Sequence, residues 1–344
     1  PASFPFPSFR AGQGEALESA REAFAEGKRF VVVEAPTGAG KSAIAVALAR
    51  EAKSAYVLTN QKILQDQYVN DFPDLAVMKG RSNYDCLVAP THAAAAPCIA
   101  GKRFPACEEC PYFTAKDVAM AANVTTLNYA YFLAELNYAG GFKERDLLVL
   151  DEAHNVEGAL MGFVQVAISD TQLLRAGIQL QLPPPLGAEH MFEFAEALLP
   201  ELRLELAKGS MQSATAVERL RVKQWLEGQA ERIQIMLDSH FGGDVDWVVE
   251  RYRGQNGENL VFKPVEVGAL AEPFLFTYGR RVLMLSATIL DARTFMRSLG
   301  IEPEEAAVIA VPSTFPPQNR PIEVRPAARL TRHYIDRDLP KLVE

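Results

Sequence analysis

Cysteine is scarce in this chain. Four occur among 344 residues, all between positions 86 and 110, which leaves no material for a disulfide framework across the whole length. No apolar run approaches the length of a membrane span, and the N-terminus lacks a secretory pattern, so the expected setting is the cytoplasm, away from membranes. Positive charge is the minority sign: 35 Lys and Arg face 43 Asp and Glu, for a formal net charge of -8. That argues against a protein that coats nucleic acid over its entire surface, but a local basic track remains compatible with it, because binding follows the local field. What is present is ordinary for a globular protein, with 49% hydrophobic and 23% charged residues. The length exceeds one typical domain, so two or three units are expected.

The most informative stretch is Glu34-Ala-Pro-Thr-Gly-Ala-Gly-Lys-Ser42. It sits between the apolar run Phe30-Val-Val-Val33 and the helix-like run Ala43-Ile-Ala-Val-Ala-Leu-Ala49, the strand, loop, helix context of a phosphate loop. Thr37, Gly38, Ala39 and Gly40 form the turn. The two glycines allow successive N–H groups to face phosphate oxygens at the positive end of the following helix. Lys41 is placed to reach the β and γ phosphates of ATP, and the Ser42 hydroxyl to ligate Mg2+. The first glycine of the usual pattern is replaced by Ala35. An ordinary glycine-rich turn is the plainer reading.

Upstream, Phe4-Pro-Phe-Pro-Ser-Phe-Arg10 and Gln13 precede a helical stretch that runs to about Glu26. Arg10 and Gln13 either anchor the terminus or serve the nucleotide, Gln13 through an amide that donates and accepts at an adenine edge. Downstream, Ser54-Ala-Tyr-Val-Leu58 reads as a second strand ending in Thr59, followed by a helix through Tyr68. Hydroxyl and amide groups at such a strand end suit either a ligand backbone or a helix cap.

Cys86, Cys98, Cys107 and Cys110 fall in a segment of altered composition between Lys79 and Lys116. Disulfides are disfavoured in the cytoplasm. Structural zinc is open, although only Cys107-Glu-Glu-Cys110 has the usual paired spacing, and a 4Fe-4S cluster accepts the looser spacing. Lys79, Arg81, Lys102, Arg103 and Lys116 are interleaved with Tyr84, Phe104, Tyr112 and Phe113. This is a pattern for single-stranded nucleic acid, with packing of the aromatics around the cysteines as the alternative.

Further on, Asp146-Leu-Leu-Val-Leu150 is a short buried strand that ends in Asp151-Glu152-Ala153-His154. An acidic pair at a strand tip suits Mg2+ and the attacking water: Asp151 on the metal through water, Glu152 orienting or deprotonating the nucleophile. Arg280-Arg-Val-Leu-Met-Leu is another apolar strand, ending in Ser286-Ala-Thr288. Its hydroxyls are candidates to bond His154 and couple the γ phosphate to movement elsewhere.

The order of Gln13, the phosphate loop, four cysteines, Thr-Leu-Asn128-Tyr129, Asp-Glu-Ala-His-Asn and Ser-Ala-Thr resembles the XPD/DinG family of superfamily two DNA helicases. The resemblance implies an α/β fold: a RecA-like parallel sheet (P-loop NTPase) with a four-cysteine iron-sulfur insert and a helical arch insert. It implies ATP-driven 5′ to 3′ movement on single-stranded DNA or a forked duplex, with a 4Fe-4S cluster on the four cysteines. It also implies that Asn128 and Tyr129 lie near the DNA path; Thr59 at its strand end, and Arg81, Tyr84 and Tyr112 in the basic and aromatic pattern above, are the other candidates for DNA contact. On this basis 1–78, 117–157 and 245–312 are expected to form the first motor domain, 79–116 the iron-sulfur insert and 158–244 the helical arch. Within the arch, Val222, Leu226, Ile233 and Leu237 recur at helical spacing. A hairpin around Gly254-Gln-Asn-Gly257 is expected to return the chain to the main sheet.

Residues 313–344 are expected to begin an incomplete second motor domain, with Ile322-Glu-Val324 as its first strand. The expectation is a truncated chain or natural fragment that depends on a partner chain or missing second RecA-like domain for arginines in phosphoryl transfer. Two other classes compete with a helicase motor: a non-catalytic nucleotide- and DNA-binding module, and a phosphate-loop ATPase or kinase acting on a small molecule. The second of these needs neither the cysteine insert nor the Ser-Ala-Thr strand.

Overall fold

The computed structural model describes residues 3–100, 104–185, 187–208, 216–254, 257–313, 328 and 331–342. The apolar runs become strands: β1 (Phe30–Glu34), β2 (Ala55–Thr59), β3 (Ala76–Val77), β4 (Val124–Asn128), β5 (Arg145–Asp151), β6 (Val166–Ser169), β7 (Trp247–Gly254), β8 (Gly257–Pro264), β9 (Gly279–Ser286) and β10 (Ala306–Ala310). Seven of them form one sheet in the order β10-β1-β9-β5-β2-β4-β3, and every neighbouring pair is parallel. The helices are α1 (Gln13–Ala25), α2 (Lys41–Glu51), α3 (Lys62–Asp71), α4 (Pro111–Ala121), α5 (Tyr129–Ala134), α6 (Val156–Val164), α7 (Asp170–Arg175), α8 (Ala188–Lys208), α9 (Ala216–Gly242), α10 (Gly268–Phe274) and α11 (Ala292–Ser298).

The continuous hydrophobicity of the central strands follows from burial on both faces. Val31 and Val33 of β1 pack with Leu17 of α1 and Ile44 of α2. Phe30 and Val32, one residue out of phase, pack on the opposite face with Phe132 and Phe276. This period-two division gives the sheet two separate cores.

The segment expected to be a purely helical arch differs. Residues 166–169 form β6, which pairs antiparallel with β8 (Val166 opposite Phe262), and β8 pairs with β7. The hairpin thus belongs to a second, three-stranded sheet instead of rejoining the main one. The cause is a shared core: Val166 and Ile168 alternate inward to meet Leu198, Leu226, Ile233, Leu237, Trp247 and Phe262. Val222 packs at its margin.

Residues 1–312 form one unit and 313–344 another. Among the described residues of the latter is a one-turn helix, α12 (Ile335–Asp338). The strand expected at Ile322-Glu-Val324 lies outside the described residues. No helix among the described residues is long and apolar enough to cross a membrane.

Candidate functional site

Strand order brings three distant motifs together. The carboxyl ends of β1, β9 and β5 lie side by side, carrying the phosphate loop, Ser286 and Asp151, at the edge where open parallel sheets bind ligands. In the loop, Gly38 and Gly40 have φ of 84° and 81°, the left-handed region that glycine enters without strain. A Cβ on Gly40 would stand 1.9 Å from Gln13 Nε2, so a side chain there would have to displace the Gln13 amide from the loop. Ala35, in place of the first glycine, is buried, while Thr37 and Gly38 face solvent and Ala39 turns inward.

Lys41 opens α2 and is 9% exposed. Its Nζ lies 3.5 Å from the Ala35 carbonyl oxygen and 3.8 Å from Glu152 Oε1. Gln13 is buried. Its Oε1 accepts from Arg10 N at 2.7 Å and its Nε2 donates to Gly40 O at 3.0 Å, while Arg10 Nη1 donates to Gly38 O at 2.6 Å. Both residues therefore brace the loop through its carbonyls. The Gln13 amide, expected to read adenine, is engaged with backbone on both of its polar atoms.

The acidic pair closes the other side. Asp151 is buried; its Oδ1 accepts from Glu152 N at 3.0 Å and its Oδ2 from the Tyr68 hydroxyl at 2.9 Å. Burial raises the affinity of the Asp151 carboxyl for its proton and the Glu152 charge adds to this, opposed by the Tyr68 hydrogen bond and the Lys41 charge. Tyr68 and Tyr129 titrate well above the ordinary phenol range, through burial first and then the Asp151 charge, so both act as neutral donors. Glu152 has φ 50° and ψ 50°, a conformation that costs a non-glycine residue energy and collects at functional sites.

The expected link from His154 to the Ser-Ala-Thr strand is present in the geometry: Nδ1 lies 2.9 Å from Ser286 Oγ, which accepts from Thr288 N at 3.2 Å. Asn155 Nδ2 lies 3.0 Å from His154 Nε2. A donating amide there assigns the ring proton to Nδ1, facing Ser286. Tyr68 and Asn155 were not among the expected site residues. Tyr68 shares a buried face of α3 with Gln65, three residues earlier, and that spacing was the available signal.

Cys86, Cys98, Cys107 and Cys110 line a single cavity together with Arg81, Leu87, Val88 and Phe113. All four are free thiols. Cys86 Sγ accepts from Val88 N and Cys107 Sγ from Phe104 N, both at 3.5 Å. Among the described residues no group of three or more His, Cys, Asp or Glu side chains is placed to hold a metal ion.

The residues expected along a DNA path divide by burial. Thr59 is wholly buried with its hydroxyl donating to Gln61 O at 3.2 Å. Tyr129 is buried with its hydroxyl on Asp151 O at 3.0 Å. Tyr112 is buried, its hydroxyl 3.1 Å from that of Tyr131. All three are buried and bonded within the protein, and Tyr112 packs in the interior of the cysteine-bearing segment. Arg81 is half-buried, its guanidinium 4.3 Å from the Tyr112 ring centroid. Tyr84 is half-buried and accepts from Lys79 N at 3.2 Å. Asn128 caps α5 by accepting from Tyr131 N at 2.8 Å, and its amide lies 3.4 Å from Gln65 Oε1. Lys79 pairs with Asp66 and Lys116 with Glu135, and Lys102 and Arg103 lie outside the described residues.

The fold has solved counterparts. An XPD helicase structure superposes with a TM-score of 0.52 at 15% identity, covering 89% of this chain and 63% of that one. A truncated XPD superposes with a TM-score of 0.51 at 16% identity, covering 88% and 99%. The chain thus spans less than two thirds of the first structure, and at these identities the likeness is one of fold. It bears out the RecA-like α/β fold expected from the motif order. No curated protein matches in sequence. The sequence model of the family described as type III restriction enzyme, res subunit, matches residues 7–181, which is half of the chain and includes the phosphate loop and the Asp-Glu-Ala-His strand; this protein belongs to that family.

Proposed function

We propose that this chain is the nucleotide-hydrolysing motor half of an ATP-dependent DNA helicase moving 5′ to 3′ on single-stranded DNA. The observation that carries the reading is the convergence of Lys41, Asp151, Glu152 and His154 on one sheet edge, with Lys41 Nζ 3.8 Å from Glu152 Oε1. A lysine between phosphate and acid, beside a buried carboxylate, is the arrangement that phosphoryl transfer to water requires.

In this reading Thr37, Gly38, Ala39 and Gly40 cradle the phosphates through main-chain N–H groups. Lys41 neutralises the charge that grows on the transferred phosphoryl group. Arg10 and Gln13 hold the loop at the adenine side. Ser42 and Asp151 offer hard oxygen donors suited to Mg2+. When bound, Mg2+ supplies charge neutralisation on the phosphate oxygens. Glu152 aligns the attacking water and accepts its proton, and the His154–Ser286–Thr288 contacts connect that event to β9. Arg81, Tyr84 and Asn128 are the partly accessible candidates for contact with single-stranded DNA or a fork. A second RecA-like domain, from a partner chain or beyond these residues, completes the motor, and the setting is the cytoplasm.

We read the four thiols that line this cavity as ligands of a 4Fe-4S cluster. Two of them already accept main-chain N–H bonds of the kind that stabilise ligating thiolates. Such a cluster would supply cross-linking of a segment too small for its own core.

The test is ATP turnover by anaerobically purified chain with and without single-stranded DNA, alongside iron and sulfide content. Lys41→Ala is expected to lower turnover by about 10²-fold or more with unchanged far-UV circular dichroism. DNA-stimulated turnover in iron-loaded protein supports the reading. Turnover that survives Lys41→Ala removes it.

A further inference from the structure

The geometry points to Tyr68 as the positioning residue of the magnesium site, a neutral hydroxyl that holds the Asp151 carboxylate in register with Ser42. The inference rests on the nucleotide reading above and deepens it. Asp151 is gripped on both oxygens, by Glu152 N on Oδ1 at 3.0 Å and by Tyr68 on Oδ2 at 2.9 Å. Each oxygen retains a lone pair for a further donor such as a metal-bound water.

Tyr68 is itself fixed. It is 3% exposed, its ring centroid is 5.9 Å from that of Phe72, and it packs in the core that contains Ile44 and Leu75. Its hydroxyl thus links α3 to β5 at a side chain expected to meet the cation. A carboxylate buried among apolar side chains needs hydrogen bonds to stay oriented before a cation arrives, and Tyr68 supplies the one that comes from a distant part of the chain.

A core tyrosine with an incidental hydrogen bond would look similar in a stability measurement, so the readout must be the cation. Full-length chain is titrated with a fluorescent ADP analogue, first in EDTA and then over a series of MgCl2 concentrations. Tyr68→Phe is expected to bind the nucleotide in EDTA within about twofold of wild type, while the Mg2+ concentration at half-maximal enhancement rises about tenfold, the loss of one hydrogen bond to a charged group. Tyr129→Phe is the control. It removes an equally buried phenol that bonds the Asp151 main-chain oxygen, and it should lower the melting temperature without moving the Mg2+ midpoint. An unmoved midpoint in Tyr68→Phe, or equal movement in both variants, overturns the positioning role. Wild-type binding that ignores Mg2+ and survives Lys41→Ala instead removes the nucleotide reading, and this inference with it.

Discussion

At the amino edge of the seven-stranded sheet, Arg145 donates to the carbonyl oxygens of Ala55, Asn123 and Ala119 at 2.8, 3.2 and 2.9 Å, and its guanidinium lies over the Tyr56 ring. Arg281 pairs with Asp146 and Arg280 with Glu144. At the carboxyl edge of the same strands, Lys41 stands 3.8 Å from Glu152 and 3.5 Å from one carbonyl, and Glu152 is held in left-handed backbone. At one edge a buried guanidinium is held by three carbonyls; at the other Lys41 and Glu152 stand close without a full hydrogen bond between them. In the reading proposed above, stability and chemistry fall at opposite ends of the same strands.

The sharpest way to break this contrast is at Glu152. Glu152→Gln keeps size and shape but removes the base, so turnover should fall about 10²- to 10³-fold, or about 3–4 kcal/mol of barrier, with nucleotide affinity retained. Glu152→Gly should abolish turnover as well, and yet raise the urea midpoint by relieving φ 50°, about 1 kcal/mol by the usual cost of that region. A functional edge is expected to gain stability when its chemistry is deleted. If both variants lose stability, the strain at Glu152 is not held for function.

The opposite experiment belongs at Arg145. Arg145→Met keeps the apolar stem but deprives three carbonyls of a donor. It should cost about 2–3 kcal/mol in urea unfolding at unchanged slope, and leave turnover per folded molecule as in wild type. A variant of normal stability and lowered turnover would reverse the assignment of the two edges.

The two edges also differed in how far the sequence disclosed them. Lys41, Asp151, Glu152 and Ser286 were legible because short motifs fix them at the ends of apolar runs, and a parallel sheet then has few ways to order those ends. Tyr68 and Arg145 carry no motif. Their partners lie 83 and as many as 90 residues away, so only the folded chain reveals them. Residues 166–169 escaped notice for a related reason. A four-residue alternation between helices has too few periods to declare itself, and its strand character comes from pairing with β8, far along the chain. The burial of Tyr112 was hidden for the converse reason: an aromatic beside basic residues suits either a base or a core, and a segment with little apolar mass of its own draws it inward.

The smallest effect lies beside the amino edge, where Arg21 of α1 clamps Glu51 at the end of α2 near Arg281. Arg21 Nη2 lies 2.5 Å from Glu51 Oε1 and Nε 3.0 Å from Oε2, and the Ser3 hydroxyl donates to the same carboxylate. The Arg21 hydrogen bonds, chiefly, hold the Glu51 carboxyl below its ordinary range against the opposing effect of burial. A depressed folded-state value means the unfolded chain binds the proton more readily, so this stabilisation is complete above the unfolded carboxylate range and disappears as pH falls through the lower folded value. For a partly exposed pair about 0.5 kcal/mol is expected at neutral pH. Glu51→Gln should therefore lower the urea midpoint slightly at about pH 7, and the gap to wild type should narrow below about pH 4, where ordinary glutamates protonate. Salt near 1 M should shrink the gap as well. A gap independent of both pH and salt would mean that Glu51 acts by packing alone, and that the Arg21 clamp adds nothing through its charge.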